Sequence, residues 1–389
     1  MEKQTPIQNI TGWRYLLLEI KMLLETVRIA YRAYPTRRQA WQSVRKQIAV
    51  HLEFKRICHL QKAVRVGGQV FIQMTFPRIG GEASKQLVLN ELNRNIPMPG
   101  RTPGLNVLVL AMTKKCSLQC EHCFEWDNLN QREQLSVSDV TGIIQKFQTY
   151  GVASIELSGG EPLNRFDDLV QILRENDTDR SDFWLLSSGY RLSATKANTL
   201  KEAGLVGICI SLDHWDAGAH DRFRGLEGSF DWAEKAAANA LAAGLAVCLT
   251  LTAVREFCTE ENLWQYARLA RQWGVHFIRI LEPRAVGHFK EQDVLLRASE
   301  IEVLETFVEK IQQDRTFRDF PMVDYYAAYQ RRKGCSGAGK RFLYVDTDGE
   351  MHACPFCPNT CGNACKDAVE TGIERMQRAS GCHAYETVG

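Results

Sequence analysis

Three cysteines stand close together in Cys116-Ser-Leu-Gln-Cys120-Glu-His-Cys123. Three thiolates on one short loop can converge on one inorganic cluster, and their number decides what that cluster can do. An electron-transfer four-iron cluster takes four cysteines. A set of three leaves one iron open, so that a small molecule can bind the metal and receive an electron directly. The plain alternative is a zinc site built from Cys116, Cys120, His122 and Cys123. Adjacent His122 and Cys123 would then have to fold back onto one ion, which counts against it.

About one strand–helix unit later comes Ser158-Gly159-Gly160-Glu161-Pro162. Glycines let a backbone approach a ligand closely, and a carboxylate can accept hydrogen bonds from an ammonium group. Alone, such a stretch more often marks a turn. Taken together, C-x3-C-x2-C and the following GGEP resemble the motifs of the radical S-adenosylmethionine (radical SAM) superfamily. The resemblance implies that Cys116, Cys120 and Cys123 are the catalytic ligands of a [4Fe-4S] cluster whose open iron is chelated by S-adenosylmethionine. Reductive cleavage then gives methionine and a 5′-deoxyadenosyl radical. It also implies that Gly159, Gly160, Glu161 and Pro162 surround the cofactor's amino group, and that His122 and Phe124 lie near its adenine. The family usually carries an aromatic residue just before the third cysteine. Here His122 stands in that place, and its ring can stack similarly.

Two further stretches agree. Ser187-Ser188-Gly189 closes a third strand-like run, and Ile210-Ser211-Leu212-Asp213 a fourth, followed by His220-Asp221-Arg222-Phe223-Arg224-Gly225. These resemble a stretch of radical SAM peptide and small-molecule modifiers that contacts the cofactor's ribose and carboxylate. Hydroxyls suit a ribose and an arginine fork suits a carboxylate, so Ser188, Ser211 and Arg224 are expected at the cofactor. Asp213 is expected either there or in a structural role. The sixth run ends in Leu281-Glu282, which puts Leu281 against the adenine and Glu282 at the mouth.

Six cysteines fall between positions 335 and 382. Phe342 to Val345, the Asp348-Gly349 turn and Met351 to Ala353 predict a β-hairpin that brings Cys335 and Cys354 together at its base. The spacing C-x13-G-x4-C resembles the opening of the SPASM and twitch auxiliary-cluster domains that follow many radical SAM cores. The later cysteine spacings depart from a full SPASM domain, and two complete clusters would need eight ligands. One auxiliary [4Fe-4S] cluster on Cys335, Cys354, Cys357 and Cys382 is therefore expected, with Cys361 and Cys365 as alternates; a zinc ribbon is the plain reading of the tail alone.

The elements that must position these residues are legible as six apolar runs, each followed by a helical stretch: Val107 to Met112, Ala153 to Ser158, Phe183 to Ser188, Gly207 to Leu212, Ala246 to Ala253 and His276 to Leu281. Serial strand–helix units predict a parallel sheet covered by helices, with ligands at the carboxyl ends of the strands. Six units are too few for a closed eightfold barrel. The expected fold is α/β, a partial (β/α)6 TIM-like barrel of the radical SAM type over residues 105–325. A mostly helical N-terminal extension occupies 1–100, with a hairpin around Gly67-Gly68, and a small cysteine-rich domain occupies 330–389.

A formal net charge of +2 in 389 residues gives no global field for nucleic acid. Thirteen cysteines, an odd number, beside an N-terminus without an apolar signal core argue for metal ligation in a reducing cytoplasmic compartment. Cys58, Cys209, Cys248 and Cys258 are scattered and read as small buried hydrophobes. From Trp13 to Tyr31, apolar residues recur at helical spacing, with Leu16, Ile20, Leu23, Val27 and Tyr31 on one face. Charges interrupt any span across a bilayer. That face is expected to pack on the protein, with peripheral contact to a membrane or partner as the alternative.

The functional expectation is radical hydrogen abstraction leading to oxidative modification of a peptide, with a flavodoxin or ferredoxin as reductant. A small metabolite or lipid-linked substrate is the second reading, and a non-catalytic iron–sulfur carrier or zinc module the remote one.

Overall fold

The computed structural model describes residues 7–335, 337 and 339–378. The chain opens with β1 (Gln8–Thr11), α1 (Trp13–Ala33), α2 (Arg37–Ile57), the hairpin β2 (Lys62–Val66) and β3 (Gln69–Phe71), and α3 (Glu82–Asn95). Then strands and helices alternate: β4 (Val107–Ala111), α4 (Val137–Tyr150), β5 (Ser154–Ser158), α5 (Phe166–Glu175), β6 (Asp182–Ser187), α6 (Ala194–Glu202), β7 (Leu205–Ser211), α7 (Ala217–Arg224) and α8 (Ser229–Ala242). The series continues with β8 (Ala246–Thr252), α9 (Glu260–Trp273), β9 (Phe277–Leu281), α10 (Ala298–Gln313), β10 (Met322–Asp324) and α11 (Ala327–Lys333). It ends in β11 (Phe342–Val345), β12 (Glu350–His352), β13 (Thr360–Asn363) and α12 (Val369–Arg378).

The six expected strands are β4 to β9. They pair in parallel in chain order, and Val107↔Ser154 through Ala111↔Ser158 sets the β4–β5 register. The sheet is larger than six strands. β10 adds in parallel beside β9, and β11 adds in parallel beside β4. β11 was expected only as one arm of the tail hairpin. Its Leu343 and Val345 are fully buried, and pairing with β4 provides that burial while satisfying an otherwise open edge. The hairpin with β12 and the short β13 complete a sheet of ten strands, so the cysteine-rich tail continues the core sheet.

One ion pair shows that this sheet curls. Arg279 on β9 reaches Glu156 on β5 at 2.8 Å, although three strands separate them in the sheet. In a flat sheet the two strands would lie about 19 Å apart, beyond the reach of both side chains. The strands therefore wrap around a common lumen, and this buried pair sits in it with Asp324 of β10, which accepts from Gln73 at 2.8 Å.

The N-terminal hairpin supplies what an incomplete barrel lacks. Val64, Val66, Phe71 and Met74 pack on Trp184, Cys209, Cys248, Phe277 and Met322 of the parallel strands. Phe71, Trp184 and Phe277 meet edge to face at centroid distances of 6.1–6.2 Å. The N-terminal segment, whose sequence announces no purpose, is thus part of the core. The four scattered cysteines are all buried, as expected.

Phe71→Ala should lower the unfolding free energy by about 3–5 kcal/mol, the cost of emptying an aromatic site at the centre of this cluster. Denaturant unfolding of the full chain measures it.

Candidate functional site

β4 ends in Ala111 and releases the chain into a loop without regular structure that carries the three cysteines. Such a loop must take its hydrogen bonds from other elements. Gly160 N–H donates to Thr113 O at 2.7 Å and Glu161 N–H to Lys115 O at 2.8 Å, so the end of β5 is stitched to the start of the loop. Gln119 N–H and Glu121 N–H donate to Arg224 O and Phe223 O at 3.0 Å, which ties its middle to α7. His288 N–H donates to Cys123 O at 2.9 Å, and the His288 ring stacks on Trp126 at 3.8 Å.

Two of these contacts require glycine. A Cβ at Gly160 would stand 2.5 Å from Lys115 O and 3.1 Å from Cys116 Cβ. At Gly287 it would collide with Cys123 O, and the backbone there has φ +55°. The glycines of GGEP therefore serve first to let the end of β5 lie against the cysteine loop.

Cys120 is buried, while Cys116 and Cys123 are half-buried. Burial pushes the Cys116 thiol up to about 11 and the Cys123 thiol up to about 12. An iron cluster held there would supply the positive charge that keeps them as thiolates, and its binding would release their protons. Arg224 already supplies one positive charge: its guanidinium donates to Cys120 Sγ at 3.4 Å and pairs with Asp213 Oδ2. Burial alone would raise the Asp213 carboxyl, but Arg224 together with smaller contributions, among them the Thr252 N–H, outweighs it and holds the group below the usual range. Asp213 Oδ1 also accepts from Thr252 N–H at 3.0 Å. Arg224 is thus committed to Asp213 and Cys120, not free as the expected fork for a ligand carboxylate; its Nε remains buried without a partner.

The other expected residues divide into three groups. His122 lies against Phe223 with ring centroids 5.1 Å apart and nearly parallel planes. Burial lowers its pKa to about 4, so it is a neutral ring at pH 7, and its Nδ1 is buried without a partner. Phe124, expected beside the adenine, instead packs edge-on against Tyr344 and Phe356 of the tail.

Glu161 is buried and already holds four bonds: Ser187 Oγ at 2.7 Å, Leu163 N–H at 3.0 Å, and Ser188 N–H and Oγ at 2.8 and 2.5 Å. Its carboxylate knits β5 to β6, with Pro162 starting the short turn that follows. Ser188 is consumed in the same network, whereas Ser211 closes β7 half-buried. Leu281 stands 37% exposed at the end of β9, free to meet a ligand. Glu282, expected at the mouth, is held by Tyr325 at 2.7 Å and by Arg331.

Beside the loop opens a cavity of about 490 Å³ lined by Glu121, Asp213, His214, Phe223, Arg255 and Phe257, among others. Arg255 and Phe257 follow the end of β8, where the strand-end rule could have found them. The buttress at Gly287 and His288 carried no sequence signal.

In the tail, Cys354 and Cys357 sulfurs lie 3.6 Å apart, and Gly337 N–H donates to Cys335 Sγ at 3.3 Å. Cys361 lies near enough to Cys357 to feel its charge. Cys365 lies at the other end of the hairpin, by the Gly349 turn. Cys382 lies outside the described residues. The two cysteine groups are joined by Phe124, by a hydrogen bond from the Tyr344 hydroxyl to Glu125, and by Lys114, whose ammonium meets Asp348 at 2.7 Å.

Among the described residues, no three His, Cys, Asp or Glu side chains converge as donors to a single ion do. A zinc site would need them within about 2.0–2.3 Å of one point. Cys116, Cys120 and Cys123 are close enough for their charges to act on one another, and Arg224 Nε and His122 Nδ1 lie buried beside them with no partner among the described residues. The residues present fit an iron–sulfur cluster with an adjacent small ligand.

The radical SAM superfamily model matches residues 110–270. The chain is 29% identical over 259 residues to the PqqA peptide cyclase of Xanthomonas euvesicatoria pv. vesicatoria (strain 85-10), covering 65% of this chain and 68% of the relative. It is 31% identical over 199 residues to the GTP 3′,8-cyclase of Marinobacter nauticus (strain ATCC 700491 / DSM 11845 / VT8), covering 50% of this chain and 58% of the relative. Among solved structures, Streptococcus suis SuiB bound to precursor peptide SuiA superposes with a TM-score of 0.58 at 15% identity, covering 74% of this chain and 68% of that one.

Gly160→Ala should displace the cysteine loop and remove most of the roughly four irons that a single cubane would contribute. Iron analysis after anaerobic reconstitution, with the far-ultraviolet spectrum unchanged, checks it.

Proposed function

We propose that this chain, which belongs to the radical SAM superfamily, abstracts hydrogen from a peptide and thereby starts its oxidative modification. The [4Fe-4S] cluster and S-adenosylmethionine, when bound, supply a 5′-deoxyadenosyl radical. The protein supplies ligation, orientation and exclusion of water. Cys116, Cys120 and Cys123 hold the cluster, and Arg224 balances charge at Cys120 while Asp213 fixes Arg224. Leu281, Ser211 and the neutral His122 ring are assigned to the cofactor's nucleoside end. Glu161 acts as a positioning residue through Ser187 and Ser188. An auxiliary cluster is assigned to Cys335, Cys354 and Cys357, with its fourth ligand either Cys361 or Cys382. The reductant is a small protein of the flavodoxin or ferredoxin type.

The observation that carries the peptide reading is the similarity to the PqqA peptide cyclase. It spans 65% of this chain, whereas the similarity to the GTP cyclase spans 50%. That second similarity is what favours the small-molecule alternative, and the test separates the two. The reconstituted chain is incubated anaerobically with S-adenosylmethionine, dithionite and either deuterated candidate peptides or deuterated nucleotides. Deuterium should appear in 5′-deoxyadenosine, and the peptide should lose a pair of hydrogens, one as the abstracted atom and the other as a proton released to solvent while its electron passes to the auxiliary cluster. Deuterium arriving from a nucleotide or other metabolite, and from no peptide, would transfer the assignment to small-molecule chemistry.

A further inference from the structure

The apolar face of α1 does not cover the protein. The helix packs through its other side: Tyr15, Leu18 and Met22 meet the β2–β3 hairpin, while Ile29, Ala30 and Ala33 join a cluster shared with α2 and α3. Trp13 is left 67% exposed, Leu17 54% and Leu24 61%, with Leu16, Ile20 and Tyr31 exposed on the same stripe. Among the described residues, nothing covers this stripe from Trp13 to Tyr31.

Charge around it is one-sided. Residues 13–57 hold ten lysines and arginines against three glutamates, in a chain whose formal net charge is only +2. The three glutamates are occupied: Glu19 by Lys55 at 2.6 Å, Glu25 by Arg28 at 2.6 Å, and Glu53 by Lys333. Arg14, Lys21, Arg28 and Arg32 recur along one flank of the stripe, all exposed, and α2 adds exposed Arg37, Arg38, Arg45 and Lys46. Pairing two copies through this face would bring two strongly basic surfaces together, at an electrostatic cost. An anionic surface with an apolar layer beneath it satisfies both features. No helix among the described residues is long and apolar enough to cross a membrane.

We propose that α1 lies in the plane of an anionic lipid bilayer, with Trp13, Leu16, Leu17, Ile20 and Leu24 in the acyl boundary and the flanking arginines and lysines among the headgroups. This surface is independent of the chemistry assigned to the cysteine loop, and neither reading depends on the other.

The test is flotation of the full chain with phosphatidylcholine vesicles, with and without phosphatidylglycerol, at low and high salt. The wild type should float with the anionic vesicles, weakly with the neutral ones, and less at high salt. Leu17→Glu with Leu24→Glu should abolish flotation. Arg14→Gln, Lys21→Gln and Arg28→Gln should each weaken it about fivefold. Thermal unfolding monitors the fold of every variant, and the three basic substitutions decide if the leucine pair disturbs it. Absence of flotation with anionic vesicles, or flotation indifferent to all these substitutions, overturns the proposal. So does a dimer in solution that Leu17→Glu with Leu24→Glu dissolves while the wild type ignores vesicles.

Discussion

The loop that carries Cys116, Cys120 and Cys123 forms no helix or strand of its own, and this constraint organises the rest of the molecule. Its amides and carbonyls must be satisfied by neighbours. Four segments do so: the end of β5 through Gly160 and Glu161, the end of α7 through Phe223 and Arg224, the segment after β9 through His288, and the stretch before α4 through Asn130 and Glu133. Each approaches so closely that the loop's path follows from the strand ends. Arg224 adds a buried charge, and Asp213 keeps that charge from being an uncompensated cost.

Strand ends can converge on one loop only if the sheet curls. Glu156 and Arg279 meet across the lumen, and the N-terminal hairpin fills its opposite end with Phe71 and Met74. The aromatic cluster and the cysteine loop thus belong to one concave sheet, the loop at the carboxyl end of β4. β11 extends the same sheet past β4 and carries Tyr344 against Glu125 and Phe124. The tail cysteines are consequently fixed relative to the first three through direct contacts.

Much of this was legible in the sequence. The six apolar runs became β4 to β9 because continuous burial on both faces of a parallel sheet leaves that pattern. Ser136 caps α4: its hydroxyl accepts from Asp139 N–H at 3.2 Å, and its own N–H donates to the Asp139 carboxylate at 2.9 Å. What escaped were features that depend on distant partners. β10 is three residues long, too short for periodicity, and exists by pairing with Phe277 to Arg279. Glu161 and Arg224 read as ligands for a small molecule because residue type alone cannot tell a group facing a ligand from one consumed by Ser188 or Asp213. Phe124 was sent to the adenine by motif position, yet Tyr344 and Phe356 arrive from more than two hundred residues downstream to take its ring. Likewise, the α1 periodicity was read as a buried face, and only the packing of Tyr15 and Ile29 reveals which side the protein uses.

The central claim is that Cys116, Cys120 and Cys123 hold a cluster that opens S-adenosylmethionine. The most direct measurement is 5′-deoxyadenosine formed under dithionite by the anaerobically reconstituted wild type and by a Cys116→Ala, Cys120→Ala, Cys123→Ala variant, with iron counted in both. 5′-Deoxyadenosine is expected from the wild type alone, with a loss of about four irons per chain in the variant. Full iron loading of the wild type without cleavage, or equal cleavage by the variant, would contradict it.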